Sequence, residues 1–256
     1  MKDRIGWLAW LAGALQFFST HAVVEAVWPR PYSWARNNIS DLGNVYCTTQ
    51  SQPEPRYVCS PAHDAMNLSF IALGALLAVG VVLGRSLWRG RWTAKLARFL
   101  LAGAGIGFVL AGLAPADVNE NSHVLGALLI MGTGNLGLLL AGAGMSGEVA
   151  AGLRWATALL GALAITAMCL FLFGNYLGLG MGGMERVAAF PILVWTLTAG
   201  ALGLLRKPRI AVGERKGETL SKPGHVLTLA SQWKLAGSSH DIRAEGHSCP
   251  GEAPLH

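Results

Sequence analysis

Residues 64–84 read DAMNLSFIALGALLAVGVVLG, and this stretch decides the fold. Its one charged residue is Asp64, at the start. About 20 apolar residues in a helix cross a hydrocarbon core of about 30 Å. The stretch therefore predicts a membrane-spanning helix. Five further runs match it in length and character, near 5–28, 96–114, 123–145, 154–174 and 184–205. Together they predict an all-α polytopic membrane protein. Six transmembrane helices form one bundle over residues 1–205, and a polar tail follows over 206–256.

Composition agrees. The chain is 52% hydrophobic and 13% charged, where a soluble domain carries about a quarter charged residues. The net charge of +6 would raise nucleic acid as a partner in a soluble protein. Here the basic residues flank apolar runs, and no basic groove with interleaved aromatics is present, so nucleic acid is excluded. The first run follows Met1-Lys2-Asp3-Arg4 and is too long for a signal peptide; VVEAVWPRP is a poor cleavage site, so it reads as a retained helix.

The basic residues also orient the bundle. With the N-terminus inside, thirteen Lys and Arg fall on inner segments: Lys2, Arg4, Arg85, Arg89, Arg91, Lys95, Arg98, Arg154, Arg206, Lys207, Arg209, Arg215 and Lys216. Four fall outside: Arg30, Arg36, Arg56 and Arg186. Both termini are then cytoplasmic, in the plasma membrane. The one long outer loop, 29–62, holds Cys47 and Cys59, and an oxidising exterior favours a disulfide between them. Cys169 reads as a small packing residue within span five, and Cys249 as a free thiol of the tail. The tail is rich in Gly, Ser, Pro and His and predicts disorder. Its basic start, RKPRIAVGERK, suits an anionic inner leaflet. Small residues four apart, Gly103, Gly107 and Ala111, and again Gly80 and Gly84, predict close helix packing within the bundle.

The polar residues cluster on the outer side. His21, His63 and His123 all lie near outer helix ends, with Glu25, Asp41, Glu54, Asp64, Asp117, Glu120 and Glu185; only Asp3 and Glu148 among the acids before the tail are inner. His21 sits about 7 Å above the midplane of span one, with Glu25 one turn further out on the same face. A charge at that depth costs a few kcal/mol and must face the bundle or a wet cavity. His63 and Asn67 repeat the i, i+4 spacing, and PADVNENSHVLG, 115–126, adds a polar turn between spans three and four. Each residue taken singly reads as a helix cap or interface group: Asp64 as an N-terminal acid, Asn121 or Ser122 as a cap, Glu185 at the positive end of span six. Taken together, His21, Glu25, Asp41, His63, Asp117 and His123 are candidate catalytic residues of one outward pocket. Asn38, Ser40, Asp41, Asn67, Glu120, Glu185 and Arg186 are candidate binding residues.

Three histidines with carboxylates match the ligand types of a zinc site. His21, His63 and His123 are the candidate ligands of a divalent metal, although each lies on a different span and no H-E-x-x-H occurs. No nucleophile elbow or Walker loop is present. GLGMGGMER, 178–186, reads as a flexible hairpin; its alternative is an anion site of backbone N–H groups assisted by Arg186. NIS at 38–40 matches a glycosylation acceptor, but residue usage looks bacterial, and NLS at 67–69 lies in a span.

The motifs NNISDLGN, PADVNENSHVLGALL and GMGGMERVAAFPILVW, in that order among six spans between Ile5 and Leu205, carry a resemblance to the membrane family numbered 998 among domains of unknown function. That family is distantly similar to a superfamily of damage-regulated autophagy modulators and glycolipid-anchor remodelling proteins. The resemblance implies that NNISDLG and the loop Asp117–His123 belong to the site, and hints at lipid handling by fold analogy alone. NNISDLG is then expected to fold over the outer end of the bundle and to hydrogen-bond His21, His63 or His123. Binding or modification of a lipid ranks first as function. A non-catalytic scaffold or sensor ranks second, and a proton-coupled transporter using His21, Glu25, Gln16 and Asn135 third. Enzyme and non-enzyme both stay open.

Overall fold

The computed structural model describes residues 1–51, 55–88, 90–146 and 151–205. The tail expectations, Cys249 and the tail histidines among them, lie outside these residues, as do those for Glu54, Arg89 and Glu148.

Six helices among the described residues are long and apolar enough to cross a membrane. They are α1 Lys2–Ala26, α2 His63–Leu83, α3 Trp92–Leu113, α4 Glu120–Gly144, α5 Ala151–Leu172 and α6 Gly180–Leu205. Each predicted run is found, and helices three, four and six start a turn earlier than their apolar cores. The first turns of α3 and α4 carry polar residues, Thr93 and Lys95 in one and Glu120, Asn121 and Ser122 in the other, while that of α6 is a Gly-Met-Gly-Gly run. The helices close a ring in which each packs on its chain neighbours and α1 packs on α6. Small residues set the tightest crossings: a Cβ on Gly107 would lie 2.7 Å from the Gly126 carbonyl, and Gly80 lies under the Trp10 indole. Helix α5 buries only 22% of its apolar window, against 44–50% for the others, so it is the most lipid-facing. Cys169 on α5 is exposed; it is not the packing residue the sequence suggests, because the bundle uses another face of this helix.

Two helices depart from regular geometry. Residues Leu129–Thr133 of α4 form a π-bulge, and Thr133 Oγ1 donates to the Leu129 carbonyl there (2.7 Å). Pro191 lies within α6 and has no N–H to give. Asn135, fully buried on α4, donates to the Ala188 carbonyl three residues before that proline (2.8 Å). Gln16 is likewise spent, donating to the Ser69 carbonyl and accepting from Ser69 Oγ. The two polar residues read as inner stepping stones are thus interhelical bolts.

Residues 27–62 cap one end of the bundle. This segment is not wholly irregular: a 3-10 turn, Ser40–Gly43, precedes an antiparallel hairpin of β1 Thr48–Gln50 and β2 Arg56–Val58. The Cys47–Cys59 disulfide closes the base of that hairpin.

Candidate functional site

NNISDLG is held by a clamp on the head of α6. Arg186, 5% exposed, donates through Nη1 to the carbonyls of Trp34 (3.1 Å), Asn37 (2.8 Å) and Gly182 (2.8 Å), and through Nη2 to the Tyr32 hydroxyl (2.6 Å). Its guanidinium lies 4.9 Å over the Trp34 ring. Tyr32 passes the contact on by donating to the Asn38 carbonyl (2.8 Å). Burial pushes the Tyr32 phenol above its ordinary range, with the Arg186 guanidinium acting the other way, so the hydroxyl keeps the proton it donates. One residue earlier, Glu185 accepts the Ile39 N–H (2.6 Å).

Glycines make the clamp possible. Gly182 and Gly183 donate to the Ala35 carbonyl (2.8 and 3.4 Å). Gly180 has φ +73°, a conformation that excludes most side chains, and a Cβ there would strike the same carbonyl. GLGMGGMER is therefore neither a loose hairpin nor an anion cradle here. Its Gly182 and Gly183 N–H groups engage Ala35, and its arginine engages Tyr32, Trp34 and Asn37.

Asp41 ties the turn to the hairpin. It is 2% exposed and accepts from Asn37 Nδ2 (3.1 Å), the Asn38 N–H (3.0 Å) and Arg56 Nε (2.9 Å); Arg56 Nη2 adds a contact to its other oxygen (3.3 Å). Two further bonds seat the turn: Asn67 Nδ2 on α2 donates to the Gly43 carbonyl (2.9 Å), and Ser60 Oγ, from the segment just before α2, to the Leu42 carbonyl (2.7 Å). The turn's partners are Arg56, Asn67, Glu185 and Arg186, not the three histidines that the sequence suggested. Carbonyls and N–H groups of the turn, rather than its side chains, make most of these contacts.

Beneath this cap lies a chamber of about 520 Å³. Asn38, Ser40, Asp41, Asn44, Gln50, Arg56, Asp117, Glu120, His123 and Glu185 form its polar wall, with Met131 and Phe171 among the apolar ones. A narrow crevice of about 40 Å³ adjoins it toward the bundle interior, walled by Phe17, Phe70, Phe108, Ile130 and Phe190. The two share Ser40, His123, Ala127, Met131 and Glu185. The π-bulge supplies Ile130 and Met131, so the irregularity in α4 shapes the wall.

His123 has a defined tautomer. Its Nδ1 lies 2.8 Å from the Ala114 carbonyl, which can only accept, so Nδ1 carries the proton and the neutral ring offers Nε2 as a lone pair. Asp117 accepts the Tyr46 N–H on Oδ2 (2.7 Å), while its Oδ1 is buried with no donor. The other predicted residues lie elsewhere. His21 is 3% exposed among Phe17, Tyr32, Trp34 and Phe190, with Nδ1 3.6 Å from Glu25. Glu25 accepts from Trp34 Nε1 (2.9 Å). His63, the first residue of α2, is bonded through Nδ1 to the Ser60 carbonyl (2.9 Å) and approaches Asp64 (3.4 Å). The cap of α4 is Asn119, which accepts the Ser122 N–H (3.2 Å), in place of Asn121 or Ser122. Of the six candidate catalytic residues, Asp41, Asp117 and His123 line the chamber; His21, Glu25 and His63 do not.

Three histidines in three separate environments are not a ligand set, and no group of three or more His, Cys, Asp or Glu among the described residues gathers closely enough to hold a metal ion. Sequence reasoning passed over Asn44, Gln50 and Phe171, and counted Arg56 for orientation alone. An arginine between the two cysteines of one loop was the available signal.

No curated protein and no solved structure matches the chain. The profile of one family, described as "Protein of unknown function (DUF998)", matches residues 11–202, a range that takes in the cap, the chamber wall and nearly the whole bundle. The chain belongs to the DUF998 family.

Proposed function

We propose that this protein binds a membrane lipid, or another membrane-associated small molecule, with its polar part in the chamber and its apolar part toward the crevice. The observation that carries the reading is the shared wall: a polar chamber and an apolar crevice meet at Ser40, His123, Ala127, Met131 and Glu185. A pocket graded from polar to apolar matches an amphiphile. The excess of Lys and Arg at the opposite end supports placing the capped end outside the cell and both termini in the cytoplasm, with residues 1–205 as the membrane domain and 206–256 as a cytoplasmic tail. The Cys47–Cys59 disulfide supports the same orientation. If the ligand is also modified, His123 Nε2 is the base placed on the wall.

A second reading, a non-catalytic scaffold or sensor, draws support from the clamp, since Asp41, Arg56 and Arg186 are all engaged in holding the cap. The transporter reading has less support, because Gln16 and Asn135 are taken up by interhelical bonds.

The test is co-purifying lipid, measured by mass spectrometry on protein in mild detergent. Ala127→Phe fills the shared wall without touching the clamp. Stoichiometric lipid on the wild type, lost in a variant that elutes as the same folded species, is the expected result. The same bulk lipid on both sinks the reading and puts the scaffold ahead.

A further inference from the structure

A separate pocket of about 350 Å³ lies within the cap, where residues 28–37 meet β2. Trp28, Arg30, Pro31, Arg36, Arg56 and Tyr57 are among its walls, and no carboxylate among the described residues lines it. Its two sides are fastened together, because Asn37 Nδ2 donates to the Tyr57 carbonyl (3.2 Å). The N–H groups of Arg36 and Asn37 close a turn on the Ser33 carbonyl (3.1 and 2.7 Å), which fixes the segment that carries Arg36. The described residues of the capped end include four arginines, Arg30, Arg36, Arg56 and Arg186. Two are spent inside the protein, Arg186 on the clamp and Arg56 on Asp41. The other two both line this pocket. Both are exposed, and neither has a carboxylate within 4.0 Å among the described residues. Arg30 is held 4.1 Å over the Tyr57 ring. That contact steadies the guanidinium and supplies it no acceptor oxygen.

Two guanidinium groups in one fastened pocket, with no carboxylate on its wall, select an anion. The planar fork of a guanidinium matches a carboxylate or a phosphate. A carboxylate and a phosphodiester each bring a single charge. A phosphate monoester brings about −1.5 to −2 at pH 7, with three acceptor oxygens, and so answers both arginines. We infer that this pocket binds the terminal phosphate of a phosphate monoester, held by Arg30 and Arg36, with Trp28 and Pro31 against the adjoining apolar part. Trp28 lies two residues beyond Ala26, the last residue of α1. That is the level at which a bilayer crossed by α1 has its head groups, and where tryptophan is enriched. A lipid with a terminal phosphate and a soluble phosphorylated molecule share this chemistry. The inference stands apart from the lipid-binding reading, since Arg30 and Arg36 do not line the chamber.

The experiment uses the full chain in mild detergent and native mass spectrometry. Short-chain lipids with identical tails are titrated: a phosphatidic acid, a phosphatidylglycerol and a diacylglycerol. Tail-free glycerol phosphate forms a fourth arm. The expected result is binding of the phosphatidic acid about tenfold or more tightly than the other two lipids, the scale of a lost charge-assisted hydrogen bond. Arg30→Gln with Arg36→Gln, both at exposed positions, should erase that preference in a protein that elutes as wild type. Ala127→Phe, which fills the shared wall of the chamber, should leave it intact. Equal binding of the phosphatidic acid and either other lipid overturns the inference, as does binding of none. A preference that survives the glutamine pair, or disappears with Ala127→Phe, places the phosphate elsewhere and also overturns it. Glycerol phosphate bound as tightly as the phosphatidic acid, and lost in the glutamine pair, upholds the pocket with a soluble ligand. Glycerol phosphate bound clearly more weakly upholds it with a lipid.

Discussion

Arg186 Nη1 donates to the Asn37 carbonyl at 2.8 Å across 149 positions of sequence. That bond joins the head of α6 to the start of NNISDLG. A guanidinium offers its donors in a fixed fork, and Arg186 uses Nη1 on the carbonyls of Trp34, Asn37 and Gly182 and Nη2 on the Tyr32 hydroxyl, while its buried Nε has no hydrogen-bond partner. The cap is therefore locked to the bundle by a buried cation whose partners are neutral dipoles, at one wall of the candidate site.

Arg186→Ala strands several buried acceptors, each worth about 1–3 kcal/mol, so a loss of about 3–5 kcal/mol is expected. Arg186→Lys should recover only part of it, because an ammonium cannot span the fork. Thermal unfolding in detergent measures both. A lysine variant as stable as wild type would mean that the charge alone holds the cap.

Asp41 and Arg56 form a buried pair, and removing either partner of such a pair costs about 3–5 kcal/mol. Asp41→Asn and Arg56→Gln should each destabilise the cap, and the double variant should cost clearly less than the sum. Hydrogen exchange of amides 38–44 reports the effect locally. Additive losses would show that the two residues act independently.

Gly182→Ala drives a Cβ into the Asn37 carbonyl, with no flexible side chain to give way. Overpacking of this kind costs about 1–3 kcal/mol. Gly152→Ala is the control: nothing lies within 4 Å of its Cβ, so stability should be unchanged or higher. Equal melting temperatures for both variants would contradict the close approach of residues 35–37 to α6.

Replacing Cys47 and Cys59 by serine opens a loop of sequence separation 12. Loop-closure entropy assigns such a crosslink about 3 kcal/mol. The hairpin carrying Arg56 should then exchange its amides faster, while the exchange of α2 to α4 stays unchanged. Faster exchange throughout the bundle would show that the disulfide supports more than the cap.

The six spans and the polar character of one end were legible in the sequence, because lipid imposes length and composition on every spanning helix whatever its neighbours. The Cys47–Cys59 bridge was legible for a similar reason: two cysteines in one loop have few partners to choose from. Asp117, His123 and Glu185 were singled out, and all three line the chamber.

Partner choice was not legible. His21 is at i, i+4 to Glu25, yet the better bond of Glu25 is to Trp34, which arrives from the loop. Glu185 reads as a helix-end charge, yet it serves Ile39, 146 positions away. Asn44 gives no signal in sequence and becomes notable only where folding leaves its oxygen without a donor. The sequence by itself determined that six helices are long and apolar enough to cross a membrane and that polar groups gather at one end, because hydrophobic length and charge are local properties. Only the tertiary structure decided which of those groups hold the cap and which face the chamber, because hydrogen-bond partners are set by the packing of α1, α2, α4 and α6 around residues 32–44.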